Sequence, residues 1–171
     1  MENIKKALKL YINNNLTQER RMMRFKRSSR DTFFESDLSI AGAYEKSKNI
    51  ANYLEEHKDY SDFQTMLFKL IDERGLKDSD VYNKVHIDRR LFSKIRSDKN
   101  YHPSKETVVL LALALELSEE ELDKLLDSAS YSLPKNNKYD LIIRFCFINK
   151  IFKINDINEL LNDYNCKLFS Y

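Results

Sequence analysis

Only two glycines and two prolines occur in 171 residues. Glycine supplies the positive φ of tight turns, and proline interrupts helix interiors and central strands. A chain this poor in both is expected to be helix-rich rather than a sandwich or barrel full of tight turns. Apolar residues make up 42% and charged residues 33%, the balance of a soluble globular protein rather than a disordered one. The length suits one ordinary domain, or a small domain with an appendage. Lys, Asn, Ile and Leu are common and Trp is absent, a usage that hints at an AT-rich bacterial or phage genome. Cys146 and Cys166 are the only cysteines. Two thiols without Cys-x-x-Cys spacing suggest neither a disulfide framework nor a zinc or redox motif, and point to a reduced, cytoplasmic setting. The opening MENIKKALKLYINNNL lacks the apolar core and cleavage site of a secretory leader. The longest apolar run, Val108 to Leu115, is too short to span a bilayer, so no membrane partner is expected.

Apolar spacings of three and four mark the helices. Residues 1–16 form one such pattern, with Ile4, Leu8, Tyr11 and Ile12 on one side. The run ERRMMRFKRSSR, Glu19 to Arg30, sets six basic residues against one acid with no clean period, and DTFFESDLSIAG reads as a loop or a short strand. A helical pattern returns from Ala43, where Tyr44, Ser47, Ile50, Ala51 and Leu54 share a face. From Ser61 the signal strengthens. Phe63, Met66, Leu67, Leu70 and Ile71 make a stripe, Ser61 or Asp62 is the N-cap, and Gly75 sits where a left-handed stop is wanted. Asp78 to Val85 is a second helix of this run, His86-Ile87 a turn, and Asp88 the cap of a third helix, Arg89 to Ser97, that buries Leu91, Phe92 and Ile95. Ser104 caps a fourth, with Val108, Leu111, Ala112 and Leu115 buried. Ser118 and Glu121 give the fifth a capping box. SLPKNN is a linker. Lys138 to Lys150 is a helix or a strand, and the spacing of Tyr139, Ile142, Ile143, Cys146 and Phe147 favours helix. Asn155 or Asp156 starts a last helix with Ile157, Leu160, Leu161 and Tyr164 inward.

Two helices joined by a very short turn inside a five-helix run follow the grammar of a helix-turn-helix. Counting from Asp78, the fourth, eighth, tenth, fifteenth and eighteenth places are Val81, Val85, Ile87, Phe92 and Ile95, all apolar. Asn100-Tyr101-His102-Pro103-Ser104 then leads into VVLLALALEL and SEEELDKLL. This stretch, roughly Phe63 to Leu126, resembles the Xre, or lambda-repressor-like, helix-turn-helix family. Three positions depart from the family pattern. Tyr82 stands where a small residue is usual, and either tilts the helices apart or lies across the surface. His86 replaces a glycine, in a left-handed turn that His tolerates at some cost. Asp78 replaces a frequent Gln and would repel a backbone phosphate. The resemblance implies an all-α fold: a five-helix domain over 61–131, an N-terminal arm or small helical subdomain over 1–60, and a C-terminal helical extension over 132–171.

The same resemblance places Arg89, Arg90, Ser93 and Lys94 at the major groove of double-stranded DNA, with Arg96 and Lys99 on the flank. Arginine suits guanine because its planar fork makes two parallel hydrogen bonds. Lys99, Asn100, Tyr101 and Lys105 are placed to grip phosphate. Between Lys84 and Lys105, seven basic residues face two acids; between Glu116 and Asp127, six acids face one base. A two-sided charge distribution of this kind suits a groove binder. Arg20, Arg21, Arg24, Lys26, Arg27 and Arg30 form a second basic segment, read as an arm along DNA, a handle for an acidic protein or RNA, or a solvated loop. The apolar tail Leu141 to Phe152 is either core or the seam of a homodimer that meets two half-sites. His57, His86 and His102 are scattered and no phosphate-cradling glycine loop exists, so no enzyme, cofactor or metal is expected. The leading expectation is a sequence-specific transcriptional regulator, an autorepressor. The rival is a protein-binding inhibitor or antitoxin-like module, such as a phage-borne anti-CRISPR protein, that engages its partner through the N-terminal arm.

Overall fold

Continuous helix-compatible sequence, broken by short polar connections, gives eight helices and no strand among the described residues of the computed structural model, which are 1–28 and 62–170. They are α1 (Glu2–Ser28), α2 (Phe63–Glu73), α3 (Asp78–Lys84), α4 (Arg89–Ser97), α5 (Lys105–Ala114), α6 (Glu119–Ser128), α7 (Lys138–Ile148) and α8 (Ile154–Asp163). The first helix runs to Ser28 rather than ending near residue 16. Once the apolar side of residues 4–16 has started a helix, Glu, Gln, Arg and Met extend it without needing a period of their own, and no glycine or proline intervenes. Of residues 17–28 the backbone alone is described. The expected helix from Ala43, Arg30 of the basic segment and the DTFFESDLSIAG stretch lie outside the described residues.

Side-chain caps start five of the helices where polar residues precede apolar ones, Asp88 of α4 among them. Asp62 Oδ1 accepts from the Thr65 N–H at 2.8 Å, and Ser104 Oγ accepts from Thr107 at 3.1 Å. Asn137 Oδ1 accepts from Tyr139 at 2.9 Å. Ser118 and Glu121 form the reciprocal capping box, with the Ser118 N–H donating to Glu121 Oε2 at 2.8 Å.

Six helices end in one device. At the residue two beyond the last helical one the backbone turns left-handed, at Gly75, His86, Glu116, Ser130, Lys150 and Asn165, with φ between 51° and 61°. The N–H of that residue and of the next bond back to carbonyls of the last turn. His86 N–H donates to Asn83 at 3.3 Å and Ile87 N–H to Tyr82 at 2.9 Å, and the other five repeat the pattern. This is the Schellman motif. The residues after the left-handed position are Leu76, Ile87, Leu117, Tyr131, Ile151 and Cys166; Leu76 is exposed, while the other five stops return a side chain to the core. Only one of the six uses glycine.

Packing centres on α5. Thr107 through Leu115 are all buried, not merely the Val108, Leu111, Ala112 and Leu115 face. The run VVLLALAL has no polar side because α5 is enclosed by its neighbours, α3 and α6 among them. The tail stripe of α7, Leu141 to Ile143 and Phe145 to Phe147, is buried in the same cluster, so it supplies the chain's own core rather than a free seam. Leu8 and Ile12 of α1 join that cluster, and Tyr11 packs on Phe145 with ring centroids 5.5 Å apart. Lys5 ties α1 to α8 through Glu159 at 2.7 Å and Asp163 at 2.9 Å. Among the described residues no helix is long and apolar enough to cross a membrane.

Candidate nucleic-acid interface

The α3–α4 pair is set by five apolar side chains. Val81, Val85, Ile87, Phe92 and Ile95 are each less than 10% exposed. His86 adopts φ 55° between the helices, so the glycine-free turn closes with the left-handed geometry that its position demands. Asp88 caps α4, its Oδ1 accepting from the N–H groups of Arg90 at 2.6 Å and Leu91 at 3.3 Å. Tyr82 is half-buried, with its ring 5.6 Å from that of Phe92, which in turn meets Phe68 edge-on at 6.0 Å. Tyr82 therefore fills space between α3 and α4 and lines the cleft of about 400 Å³ between them. At the far end of α4, Gln64 Nε2 donates to the carbonyls of Ile95 at 2.6 Å and Arg96 at 2.7 Å, so α2 satisfies acceptors that the helix end leaves open.

The outer side of α4 sorts the expected residues into two groups. Arg89, Arg90, Ser93 and Lys94 are exposed. No acid pairs with Arg89, Arg90, Lys94 or Lys99 among the described residues. Lys94 Nζ lies 5.0 Å from the centre of the Tyr101 ring, which keeps the ammonium over the connection that follows α4. The Asn100 N–H donates to Asp98 Oδ1 at 3.0 Å, shaping that connection, and Tyr131 Oη donates to the Pro103 carbonyl at 3.1 Å, anchoring its end. Arg96, also exposed, is by contrast held by an acid. Its Nη2 donates to Asp78 Oδ1 at 2.5 Å, and its guanidinium lies 3.9 Å from the centre of the Phe68 ring.

Ion pairing redraws the charge map read along the chain. Of the seven bases from Lys84 to Lys105, Lys84 pairs with Glu116 at 2.6 Å, Arg96 with Asp78, and Lys105 with Asp140 at 2.6 Å. The acidic α6 is similarly engaged. Arg144 forks onto Asp123 at 2.8 and 3.0 Å and onto Glu119 at 2.7 Å, while Arg74 reaches Glu121 at 2.8 Å. Burial pushes the Glu121 carboxyl up, but the hydrogen bonds from Arg74 and Ser118 outweigh it and hold that group below the usual range. The two-sided charge pattern thus becomes an unpaired basic face on α4 and an acidic α6 in which two arginines engage three of the five acids.

Sequence reasoning missed Arg144, Asp140 and Gln64. The one signal available was an arginine in the middle of LIIRFCFI. A charge embedded in an apolar run needs a partner, and here the partners come from α6. Among the described residues no group of three or more His, Cys, Asp or Glu could hold a metal ion. The backbone of Arg20, Arg21, Arg24, Lys26 and Arg27 is part of α1. No protein-family model matches the chain, and neither a curated protein nor a solved structure matches it.

Proposed function

We propose that the chain is a sequence-specific DNA-binding regulator, an autorepressor, in which α2–α6 form a five-helix helix-turn-helix domain of the Xre type and α4 is the recognition helix. The observation that carries this reading is the outer side of α4, where Arg89, Arg90, Ser93 and Lys94 are exposed and the three bases have no acid partner among the described residues. An α-helix about 10–12 Å across fits a major groove about 12 Å wide. Arg89 and Arg90 sit in the first turn, the part of a recognition helix that reaches base edges, and each can fork onto a guanine. Lys99 and Asn100 follow the helix and grip phosphate, which fixes register without reading sequence. A homodimer would present two such helices to two half-sites.

The test is a mobility shift against the DNA upstream of its own reading frame, with Arg89→Ala/Arg90→Ala as the comparison. Each lost bidentate contact removes about 1–3 kcal/mol of discrimination, so the double variant should lose specific binding by at least tenfold. Equal binding by the two proteins refutes the reading and leaves the rival, a protein-binding inhibitor or antitoxin-like module acting through the basic segment of α1. That rival is not tested by deleting residues 1–60, because Leu8 and Ile12 belong to the core. It is tested by substituting Arg20, Arg21 and Arg24 with alanine.

A further inference from the structure

Arg96 is the one arginine of α4 that is held by an acid, and the acid is Asp78, the first residue of α3. The two side chains are 48% and 36% exposed, so water and any approaching phosphate reach the pair. The Phe68 ring stacks under the guanidinium and keeps it extended along the cleft shared with Arg89 and Ser93. Exposed ion pairs of this kind are weak, and a phosphate can compete for the arginine. The Asp78 carboxylate cannot leave with it, since its backbone is fixed in α3. Any phosphate that meets Arg96 therefore also meets a like charge.

Resting on the DNA-binding reading above, we propose that Asp78 is an internal competitor for phosphate, which withholds Arg96 from the DNA backbone and limits the affinity and salt dependence of the α4 surface. Arg89 and Arg90 read bases, while Arg96 is a latent phosphate contact that Asp78 holds in reserve. An amide at position 78 keeps a hydrogen-bond acceptor for Arg96 and removes the charge. Asp78→Asn should therefore convert Arg96 into a working phosphate contact. One added phosphate contact steepens the dependence of log affinity on log salt by about 0.9, so affinity should fall roughly 3.5-fold more than that of wild type between about 50 and 200 mM salt.

The experiment measures fluorescence anisotropy of a labelled mixed-sequence duplex of about 24 base pairs across that salt range. The proteins are wild type, Asp78→Asn, Asp78→Ser, Arg96→Gln, Asp78→Asn/Arg96→Gln and Arg89→Ala/Arg90→Ala. Asp78→Ser reports the same effect with a second side chain, in case the amide disturbs the start of α3. The proposal expects tighter binding and a steeper slope for both Asp78 variants, with no change of slope when Arg96 is already Gln. Slopes parallel to wild type for both Asp78 variants overturn it, as does an equal steepening without Arg96. If Arg89→Ala/Arg90→Ala weakens binding while the Asp78 variants run parallel to wild type, this inference alone fails. If no protein binds the duplex, the DNA-binding reading fails and takes this one with it.

Discussion

Lys150 closes α7 at φ 55°, an exposed residue with no ion pair or side-chain hydrogen bond among the described residues. A left-handed backbone costs an L-residue with a β-carbon about 1–2 kcal/mol, because the β-carbon crowds the following carbonyl. Glycine removes that cost but returns about 0.4–1 kcal/mol through the greater freedom of the unfolded chain. Lys150→Gly should therefore stabilise the protein by about 0.5–1 kcal/mol. Urea unfolding should show a higher midpoint at unchanged slope, and Tm should rise by about 1–4 °C. Lys150→Ala keeps the β-carbon and should stay within about 0.5 kcal/mol of wild type, which separates the backbone effect from loss of the lysine. The converse test is Gly75→Ala. Its φ is 61° and an added β-carbon would meet nothing within 4 Å, so no clash contributes and the expected loss of about 0.5–1 kcal/mol is backbone strain less the gain from a less free unfolded chain. If Lys150→Gly is no more stable than Lys150→Ala, or Gly75→Ala is neutral, the strain argument is wrong. Lys150 is the cleanest choice of the five non-glycine stops. Glu116 is held by Lys84, and Asn165 is a residue type that tolerates this geometry comparatively well.

Arg144 is 12% exposed, whereas Glu119 and Asp123 are 40% and 43% exposed and can recover water. Arg144→Leu should cost about 2 kcal/mol, below the 3–5 typical of a fully buried broken pair, and urea unfolding that finds no loss would show the fork to be dispensable. Burial pushes the Cys146 thiol up to about 12. In the native protein at pH 8 a thiol reagent should label Cys166 and spare Cys146, with both reacting in urea; native labelling of both would contradict the buried assignment. Cys146 should also make stability pH-dependent. Below the ordinary thiol pKa near 9 both states hold the proton; above it the unfolded chain releases its proton while the folded one keeps it. That part of the stability is lost as pH rises from about 9 towards 12, and Cys146→Ala should flatten that part of the alkaline unfolding curve.

Much of the local structure was legible because it depends on neighbours in the chain. The Asp62, Ser104 and Ser118 caps, the Gly75 stop and the choice of helix over strand for Lys138 to Ile148 all follow from spacings of two to four residues. The last helix begins at Ile154, one or two residues before the expected Asn155 or Asp156, a difference within the fraying of helix ends. Two local readings fell short for physical reasons. The basic run after Leu16 has no apolar period, yet its residues extend a helix that others nucleate. The expected one-sided α5 is apolar on all sides because it is enclosed by other helices.

Sequence alone determined that the chain is helical, where its apolar stripes lie, and that Arg89, Arg90, Ser93 and Lys94 share the side of α4 opposite Phe92 and Ile95. Helical periodicity and the hydrophobic effect suffice for that. Only the tertiary structure decided which charges remain free. Arg96 and Asp78 are 18 residues apart, Lys84 and Glu116 32, and Lys105 and Asp140 35. No local period encodes such pairs. They form because packing brings α3 to α4 and to the end of α5, and the start of α7 to the start of α5, and charge then pairs across whatever gap the apolar side chains leave.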